Sequence, residues 1–286
     1  ESNDDRYIIA GYPWFKCRAR DTFISLPGLT LSIEEDDYFE LVMKTAMKGY
    51  YEFMEGKPVT VHIAEIDQPD VPLWAVWALQ QYAKEKGKEA CLKKYGKFIK
   101  DVVMYVKCNH HPNLKLMPNG LLYTDGKDKA VTWMNSTANG HPVVPRTGYI
   151  VEFNALWYNA LCFCASLCEL AGKEKDQQQF LEAAELAKQS FLDTFLNEYV
   201  DGKMIDWSVR PNMIFPVAFD YSPLSQDQKK RVLDICTREL LTPKGLRSLS
   251  PKSGGYNPVY VGPQSQRDYA YHQGTAWPWL GGFYME

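Results

Sequence analysis

The sequence predicts an all-α fold in which two layers of helices lie one inside the other. Five stretches of the chain are apolar on nearly every side, and a helix of that kind has to be buried. Each of the first four is followed by a stretch whose apolar residues recur every three or four positions, the spacing of a half-buried helix. Buried and surface helices that alternate in this way are typical of parallel inner helices joined by returning outer helices.

The inner helices are predicted, in chain order, at residues 22–31, 71–83, 153–171, 213–219 and 275–284. The outer helices are predicted at residues 36–54, 88–106, 177–196 and 225–240. Gly87, Gly172 and Pro223 mark turns, since these residue types end helices. A closed ring of six pairs would need about one more hairpin and a final outer helix. A right-handed solenoid is the alternative, but its repeats would share sequence and length, so the closed ring is favoured.

One long segment, residues 108–150, interrupts the alternation of helices. It is rich in Gly, Pro, Asn and Asp, and we expect a short hairpin between residues 121–123 and 130–133. Long irregular segments inside compact domains are often lids or binding loops. No linker or low-complexity tract marks a boundary, so residues 1–286 are expected to form a single domain. The first residues are those expected in the interior of a longer protein, so the chain is expected to be part of one.

Composition narrows the class of partner. A formal net charge of −3 gives no electrostatic reason to expect nucleic acid or a membrane surface, and no stretch has the length and apolarity of a membrane span. The seven cysteines are odd in number and lie mostly in apolar helices, which favours reduced thiols and a cytoplasmic location. The aromatic share of 14% suits sugar stacking, although most of these rings are expected to fill the core.

A short polar cluster stands directly before each of the five apolar stretches. If the inner helices are parallel, groups at their N-terminal ends should converge at one end of the core, as in an enzyme pocket. The clusters are Arg20-Asp21, residues 67–70, Glu152, Arg210-Pro211-Asn212 and His272-Gln273.

Several kinds of site are disfavoured by the residues present. There is no Gly-rich phosphate loop and no Gly-x-Ser-x-Gly motif, and the adjacent pair His110-His111 has no obvious third ligand. No metal or other cofactor is therefore expected. Carboxylates, arginines, amides and tryptophans remain, and they suit glycoside hydrolysis, which needs one proton-donating carboxylic acid and a second carboxylate.

A series of motifs resembles the C-terminal amylo-α-1,6-glucosidase domain of glycogen debranching enzymes. They are Ala-Gly-Tyr-Pro-Trp-Phe at 10–15, Arg-Asp-Thr-Phe-Ile-Ser-Leu-Pro-Gly-Leu at 20–29, Thr-Trp-Met at 132–134, Pro-Arg at 145–146, Val-Glu-Phe-Asn-Ala-Leu-Trp-Tyr-Asn-Ala-Leu at 151–161, Arg-Pro-Asn at 210–212 and His-Gln-Gly-Thr-Ala-Trp-Pro-Trp at 272–279. The resemblance spans nearly the whole chain in order. It implies an (α/α)6 toroid, incomplete in this chain, and inverting hydrolysis of α-1,6-linked glucose at branch points of an α-glucan or branched oligosaccharide.

The resemblance also implies roles for particular residues. Arg20 and Asp21 would hold the non-reducing glucose, with a salt-bridged helix start as the alternative. Asp70 would contact sugar or cap a helix, because Asp is favoured at helix N-caps. Glu152 would be catalytic, bind sugar or pair with Arg146. Trp133, Trp157 and Trp277 are candidates for stacking on sugar or for the core. The other substrate-binding candidates are Arg146, Arg210, Asn212, His272 and Gln273.

The chain departs from the family pattern at both proposed catalytic carboxylates. The general acid is expected in Thr-Trp-Met-Asp, but this chain has Asn135 there, and an amide does not donate a proton as a carboxylic acid does. Ala276 stands where His-x-Gly-Pro-Glu-Trp has its Glu. Either other acids serve or the site binds glucan without cleaving it efficiently. The nearest candidates are Glu152, Asp70, Asp125 and Asp128.

Three alternatives to a debranching-type glucosidase stay open at this point. The first is a glucan-binding relative with weakened catalysis, which Asn135 favours. The second is another (α/α)6 glucosidase, similar to trehalase or glucoamylase. The third is a helical scaffold for protein partners, which would have no use for five polar clusters at one end of a core. The sequence does not indicate an oligomeric state.

Overall fold

The computed structural model describes residues 4–195 and 206–286. The described part of the chain is mostly helical, with 53% of its residues in helices and a few short strands. The α-helices are α1 (Ala19–Leu29), α2 (Asp36–Met54), α3 (Val71–Lys86), α4 (Lys88–Lys107), α5 (Val151–Leu170), α6 (Glu174–Phe195), α7 (Phe215–Ala218), α8 (Gln226–Glu239), α9 (Gln264–Ala270) and α10 (Leu280–Met285). Two 3₁₀ helices span Leu31–Ile33 and Pro211–Ile214. The predicted all-α class is confirmed.

The strands are two or three residues long. They are β1 (Lys115–Leu116), β2 (Leu122–Thr124), β3 (Thr137–Ala138), β4 (His141–Pro142), β5 (Gly148–Tyr149), β6 (Leu241–Thr242), β7 (Gly245–Arg247) and β8 (Ala276–Trp277). The chain divides into two compact units. The first unit comprises the chain up to Leu116 together with Ala160–Glu182, and the second comprises Met117–Asn159 and Ala183–Glu286. The single domain expected from the sequence stays a prediction.

Buried and surface helices alternate in the first unit as predicted. In α3 every residue from Val71 to Gln80 is buried, as an inner helix requires. The outer helices α2 and α4 bury one stripe each, through Phe39, Val42, Met43, Ala46 and Tyr50 in α2 and Tyr95, Phe98, Val102 and Val106 in α4. Their opposite faces carry the charged side chains, so the hydrophobic effect orients both helices.

The later helices match the predictions less closely. Helix α5 is buried along most of its length and α6 along one stripe, as expected, while the predicted end of α6 at Leu196 lies outside the described residues. Helix α8 starts with a capping box, in which the Ser225 hydroxyl accepts from the N–H of Gln228 and the Gln228 side chain accepts from the N–H of Ser225. The fourth inner helix is only a 3₁₀ turn followed by α7.

The predicted helix at 275–284 is wrong in its first half. Residues Ala276–Trp277 form strand β8, which pairs antiparallel with β7, and the helix begins only at Leu280. The reason is Pro278, which disfavours helical backbone at the residue before it and has no N–H to donate.

The predicted hairpin in the long segment is also wrong. Strand β2 pairs antiparallel with β5, placing Tyr123 opposite Tyr149, and residues 130–133 form no strand. The hairpin that does form joins β3 to β4 through Asn139 and Gly140, both at positive φ. Asn-Gly is the preferred dipeptide for such a turn, so the signal for this hairpin is present in the sequence.

None of the helices in the described ranges combines the length and apolarity needed to cross a bilayer. The seven cysteines are free thiols. Burial raises the pKa of Cys91 and of Cys236 to about 12, so these two side chains remain protonated packing groups.

Candidate functional site

The first unit contains a buried ion pair at the N-terminal ends of two inner helices. Arg20 in α1 donates from Nε to Asp70 Oδ2 at 2.6 Å and from Nη2 to Oδ1 at 2.9 Å. The indole N–H of Trp74 donates to Asp70 Oδ2 at 3.3 Å. Burial alone would lower the pKa of Arg20, but the adjacent Asp70 carboxylate raises it above its usual value. Both oxygens of Asp70 are therefore engaged within the protein.

Asp21 is not part of this pair. Its carbonyl oxygen accepts from the hydroxyl of Ser25, and its carboxylate makes no hydrogen bond to another of the described residues. Burial raises the pKa of the Asp21 carboxyl, and the nearby charges of Arg20 and Arg18 oppose that shift. Arg20 thus forms the salt bridge given above as the alternative to sugar binding, while Asp21 stays a candidate for sugar contact.

The second unit contains another buried ion pair, at the start of α5. Arg146, at the end of the long segment, donates from Nη2 to Glu152 Oε2 at 2.7 Å. Glu152 is only 1% exposed. Arg146 is placed by a close backbone approach, since a Cβ at Gly126 would lie 2.1 Å from the Arg146 carbonyl oxygen. Glycine at 126 lets the long segment fold tightly against the residue that holds Glu152.

Met134 joins this ion pair to the Arg-Pro-Asn motif. Its sulfur accepts from Arg146 Nη1 and from Asn212 Nδ2, each at 3.7 Å. The Asn212 amide oxygen in turn accepts from the indole N–H of Trp133 at 2.7 Å. Residues 133 and 134 therefore connect Glu152, through Arg146, to Asn212.

Arg210 ties the same region to the His-Gln motif. It donates from Nη1 to the carbonyl oxygens of Ser248 and His272, at 3.3 and 3.0 Å, and from Nη2 to Gln273 Oε1 at 2.9 Å. These partners are neutral, and Arg210 has no ion pair within the described ranges. Burial lowers the pKa of Arg210 to about 10.

Three aromatic side chains, Trp133, Tyr271 and Trp277, contact the ring of His272. Its ring stacks on Trp277 with centroids 5.1 Å apart, and Trp133 meets it edge-on at 5.4 Å. Trp133 also contacts Trp277 and Trp279 edge-on, at 5.3 and 5.2 Å. Burial lowers the pKa of His272 to about 3, so the ring is neutral near pH 7.

Three of these residues have a buried polar atom with no partner in the described parts of the chain: Glu152 through Oε1, Arg210 through Nε and His272 through Nε2. Buried polar atoms are nearly always hydrogen-bonded, because leaving one unpaired costs about 1–3 kcal/mol. One acceptor and two donors left unpaired in one connected network are the groups that a hydroxyl-rich ligand would satisfy.

The structure brings together eight of the thirteen predicted site residues in this network: Trp133, Arg146, Glu152, Arg210, Asn212, His272, Gln273 and Trp277. Asn135 lies beside them in sequence and is partly exposed. Trp157 is 1% exposed and packs inside the unit, as the alternative of a core residue requires. Asp125 and Asp128 are exposed. Arg20, Asp21 and Asp70 belong to the first unit.

Met134 and Ser136 were not singled out from the sequence. Ser136 donates its N–H to His272 Nδ1 at 3.4 Å and its hydroxyl to the carbonyl oxygen of Asp268 at 2.6 Å. Both residues flank Asn135, and Met134 lies within a motif that carries the family resemblance. Met134 contacts Asn212 and Ser136 contacts His272, at separations of about 80 and 140 positions along the chain. Local sequence patterns do not indicate contacts at such separations.

A mostly helical chain with a buried carboxylate, two arginines and a tryptophan cluster fits the glycoside hydrolases as a class. The chain belongs to the amylo-alpha-1,6-glucosidase family, whose sequence profile matches residues 1–286. The resemblance stated from the motifs is thereby confirmed, and family membership agrees with the predicted (α/α)6 fold class.

The chain is also similar to individual proteins. It is 24% identical to the glycogen debranching enzyme of Saccharomyces cerevisiae, over 58% of this chain and 14% of that protein. The chain thus spans a small part of the length of this curated relative. Among solved structures it is similar to an alpha-L-rhamnosidase from Dictyoglumus thermophilum, with 16% identity and a TM-score of 0.39, over 59% of this chain and 18% of that chain.

Proposed function

We propose that this chain is an α-glucan-acting glycoside hydrolase domain that removes α-1,6-linked glucose at branch points with inversion. The observation that carries the proposal is Glu152, a fully buried carboxylate with one oxygen held by Arg146 and the other without a partner among the described residues. Family membership supports the substrate class.

Glu152 suits the general base of an inverting reaction. Arg146 donates to one of its oxygens and holds the side chain in place. The unpaired oxygen would orient and deprotonate the attacking water. Arg210, Asn212 and Gln273 would bind hydroxyl groups, and Trp133 and Trp277 would form an apolar wall. A second carboxyl would stand about 6.5–9.5 Å from Glu152 and protonate the leaving oxygen.

Hydrolysis of an α-1,6-branched oligosaccharide tests this proposal. We expect glucose to be released as the β-anomer, which NMR detects before mutarotation. The substitution Glu152→Gln should abolish the release of glucose. A panel with trehalose and linear maltose is the control for substrate class. Preference for either control substrate would overturn debranching in favour of a trehalase-like or glucoamylase-like enzyme.

A second candidate function is glucan binding without efficient cleavage, and Asn135 favours it. An amide at the family's acid position cannot supply the proton that the leaving group needs. Restoring the carboxyl with Asn135→Asp separates the two candidates. A rise in turnover of about tenfold or more would indicate a weakened site in the wild type. Unchanged turnover, on a wild type that already cleaves, would indicate that another carboxyl serves as the acid.

A further inference from the structure

His272 is held rigidly although it lies in a loop between α9 and β8. It is 0% exposed. Its ring lies against Trp277, with an interplanar angle of 13°, and is met edge-on by Trp133 and at 63° by Tyr271. An imidazole packed between three aromatic rings cannot rotate without displacing them, so the directions of its two nitrogens are fixed.

The contact with Ser136 determines which nitrogen carries the proton. The backbone N–H of Ser136 points at His272 Nδ1, at 3.4 Å. A backbone N–H only donates, so Nδ1 has to be the acceptor and a neutral ring carries its hydrogen on Nε2. Nε2 is buried and has no partner in the described part of the chain. The ring therefore presents an unused hydrogen-bond donor.

The surroundings keep this ring neutral. Burial and the positive charge of Arg210 both disfavour the imidazolium and lower the pKa of His272 to about 3. Arg210 donates to the carbonyl oxygen of His272. The three side chains that contact the ring, Trp133, Trp277 and Tyr271, carry no charge. A neutral donor binds a ligand that places an oxygen next to it more tightly than a ligand that does not. This preference does not change with pH near neutrality.

We propose that His272 has two separate tasks: Nδ1 positions the loop that carries Asn135, and Nε2–H donates to an oxygen of the bound sugar. The first task follows from sequence, since Ser136 is the residue next to Asn135 and is held further by its hydroxyl bond to the Asp268 carbonyl. The second task rests on the proposed function. A sugar lacking the accepting hydroxyl would leave the buried donor unpaired and bind more weakly.

Two substitutions separate these tasks. In His272→Asn the amide oxygen can occupy the place of Nδ1, while nothing replaces the Nε2–H donor. In His272→Gln the longer amide can reach the place of Nε2, while the acceptor for Ser136 is lost. We expect H272N to retain slow hydrogen exchange at the Ser136 amide and to lose about tenfold or more in affinity for a branched maltooligosaccharide. H272Q should show the reverse, with fast exchange and most of the affinity retained.

The tautomer is measured on the wild-type chain, which covers the case that neither variant folds. In a long-range ¹H–¹⁵N spectrum, Nδ1 of His272 should resonate as an unprotonated nitrogen and Nε2 as a protonated one, unchanged between pH 5 and 8. A protonated Nδ1 would overturn the proposal. Fast Ser136 exchange in H272N would overturn the positioning task, and unchanged affinity would overturn the donor task. If the wild type binds no maltooligosaccharide, the proposed function fails while the exchange and tautomer results still decide the positioning task.

Discussion

The two buried ion pairs in the described parts of the molecule each join an arginine to a carboxylate, and they differ in which carboxylate oxygens they leave unpaired. In the first unit, Asp70 receives two bonds from Arg20 and one from Trp74, so both of its oxygens are used. In the second unit, Arg146 engages one oxygen of Glu152 and the other has no partner among the described residues. The first arrangement is complete within the protein, whereas the second has a free oxygen that we propose a ligand satisfies.

This difference separates a structural role from a functional one where residue type alone does not. A buried ion pair with every atom satisfied holds two helices in register, and losing one partner destabilises the fold. A buried carboxylate with an unpaired oxygen lowers the stability of the free protein. Such a group is expected where a ligand supplies the missing hydrogen bond. Asp70 is a catalytic candidate on its sequence, and because both of its oxygens are bonded within the protein we expect it to serve stability instead.

The largest expected effect is on turnover. Glu152→Gln keeps the shape of the side chain and a bond to Arg146 but removes the base, so hydrolysis of a branched oligosaccharide should fall by about 10²–10⁴. Asp70→Asn is the matched control, and its turnover per folded molecule should stay within about twofold. If the two variants lose turnover equally, the comparison between the units fails.

The next effect is on stability. Asp70→Asn removes the charge that balances the buried Arg20, and we expect the free energy of unfolding to fall by about 3–5 kcal/mol. Urea denaturation measures it. The exposed pair of Lys230 and Asp234, one helical turn apart at 2.8 Å, offers a control: Asp234→Asn should cost less than about 1 kcal/mol. Equal losses would show that the Arg20–Asp70 pair contributes no more than a surface pair.

A smaller loss of stability and of glucan affinity should follow when a methyl group is added to the backbone beside Arg146. In Gly126→Ala the added methyl would meet the Arg146 carbonyl oxygen and Val131 Cγ2. The segment has to move, at a cost of about 1–3 kcal/mol in unfolding free energy, and glucan affinity should fall with it. Gly28→Ala is the control, since nothing lies within 4 Å of its Cβ and the position is helical. That substitution should be neutral or slightly stabilising.

The smallest expected effect is a pH dependence in the second unit. The pKa of His272 is about 3 in the folded chain and about 6.5 when the ring is exposed. Between these values the unfolded chain binds a proton that the folded chain does not, so the free energy of unfolding falls as pH drops below about 6.5. The stability advantage of wild type over His272→Asn should therefore shrink from pH 7 to pH 5. An advantage that is constant across this range would contradict the neutral buried ring.

The sequence predicted the long helices and most of the residues of the second-unit network. Apolar periodicity located α2, α4 and α6, which each bury one stripe, and continuous apolar stretches located α3 and α5. It failed at 275–284, where a proline splits an apolar stretch into strand and helix. It also mispaired β2, whose partner β5 lies more than twenty residues away.

The roles of the site residues depend on contacts that the sequence does not contain. Both Asp70 and Glu152 precede an apolar helix and both have an arginine partner. What distinguishes them is the second oxygen of each carboxylate, which accepts from Arg20 Nη2 in Asp70 and has no partner among the described residues in Glu152. Trp133, Arg146, Asn212 and His272 all come from the family motifs, and in the structure they lie in one contact network.

The most direct test of the difference between the two ion pairs is a structure of the chain with a branched maltooligosaccharide bound. Sugar oxygens or a water held by the sugar should lie within about 3 Å of Glu152 Oε1, Arg210 Nε and His272 Nε2, while the bonds from Arg20 and Trp74 to Asp70 remain as they are. A bound sugar that leaves Glu152, Arg210 and His272 without new partners, or that draws Asp70 away from Arg20, would contradict this account.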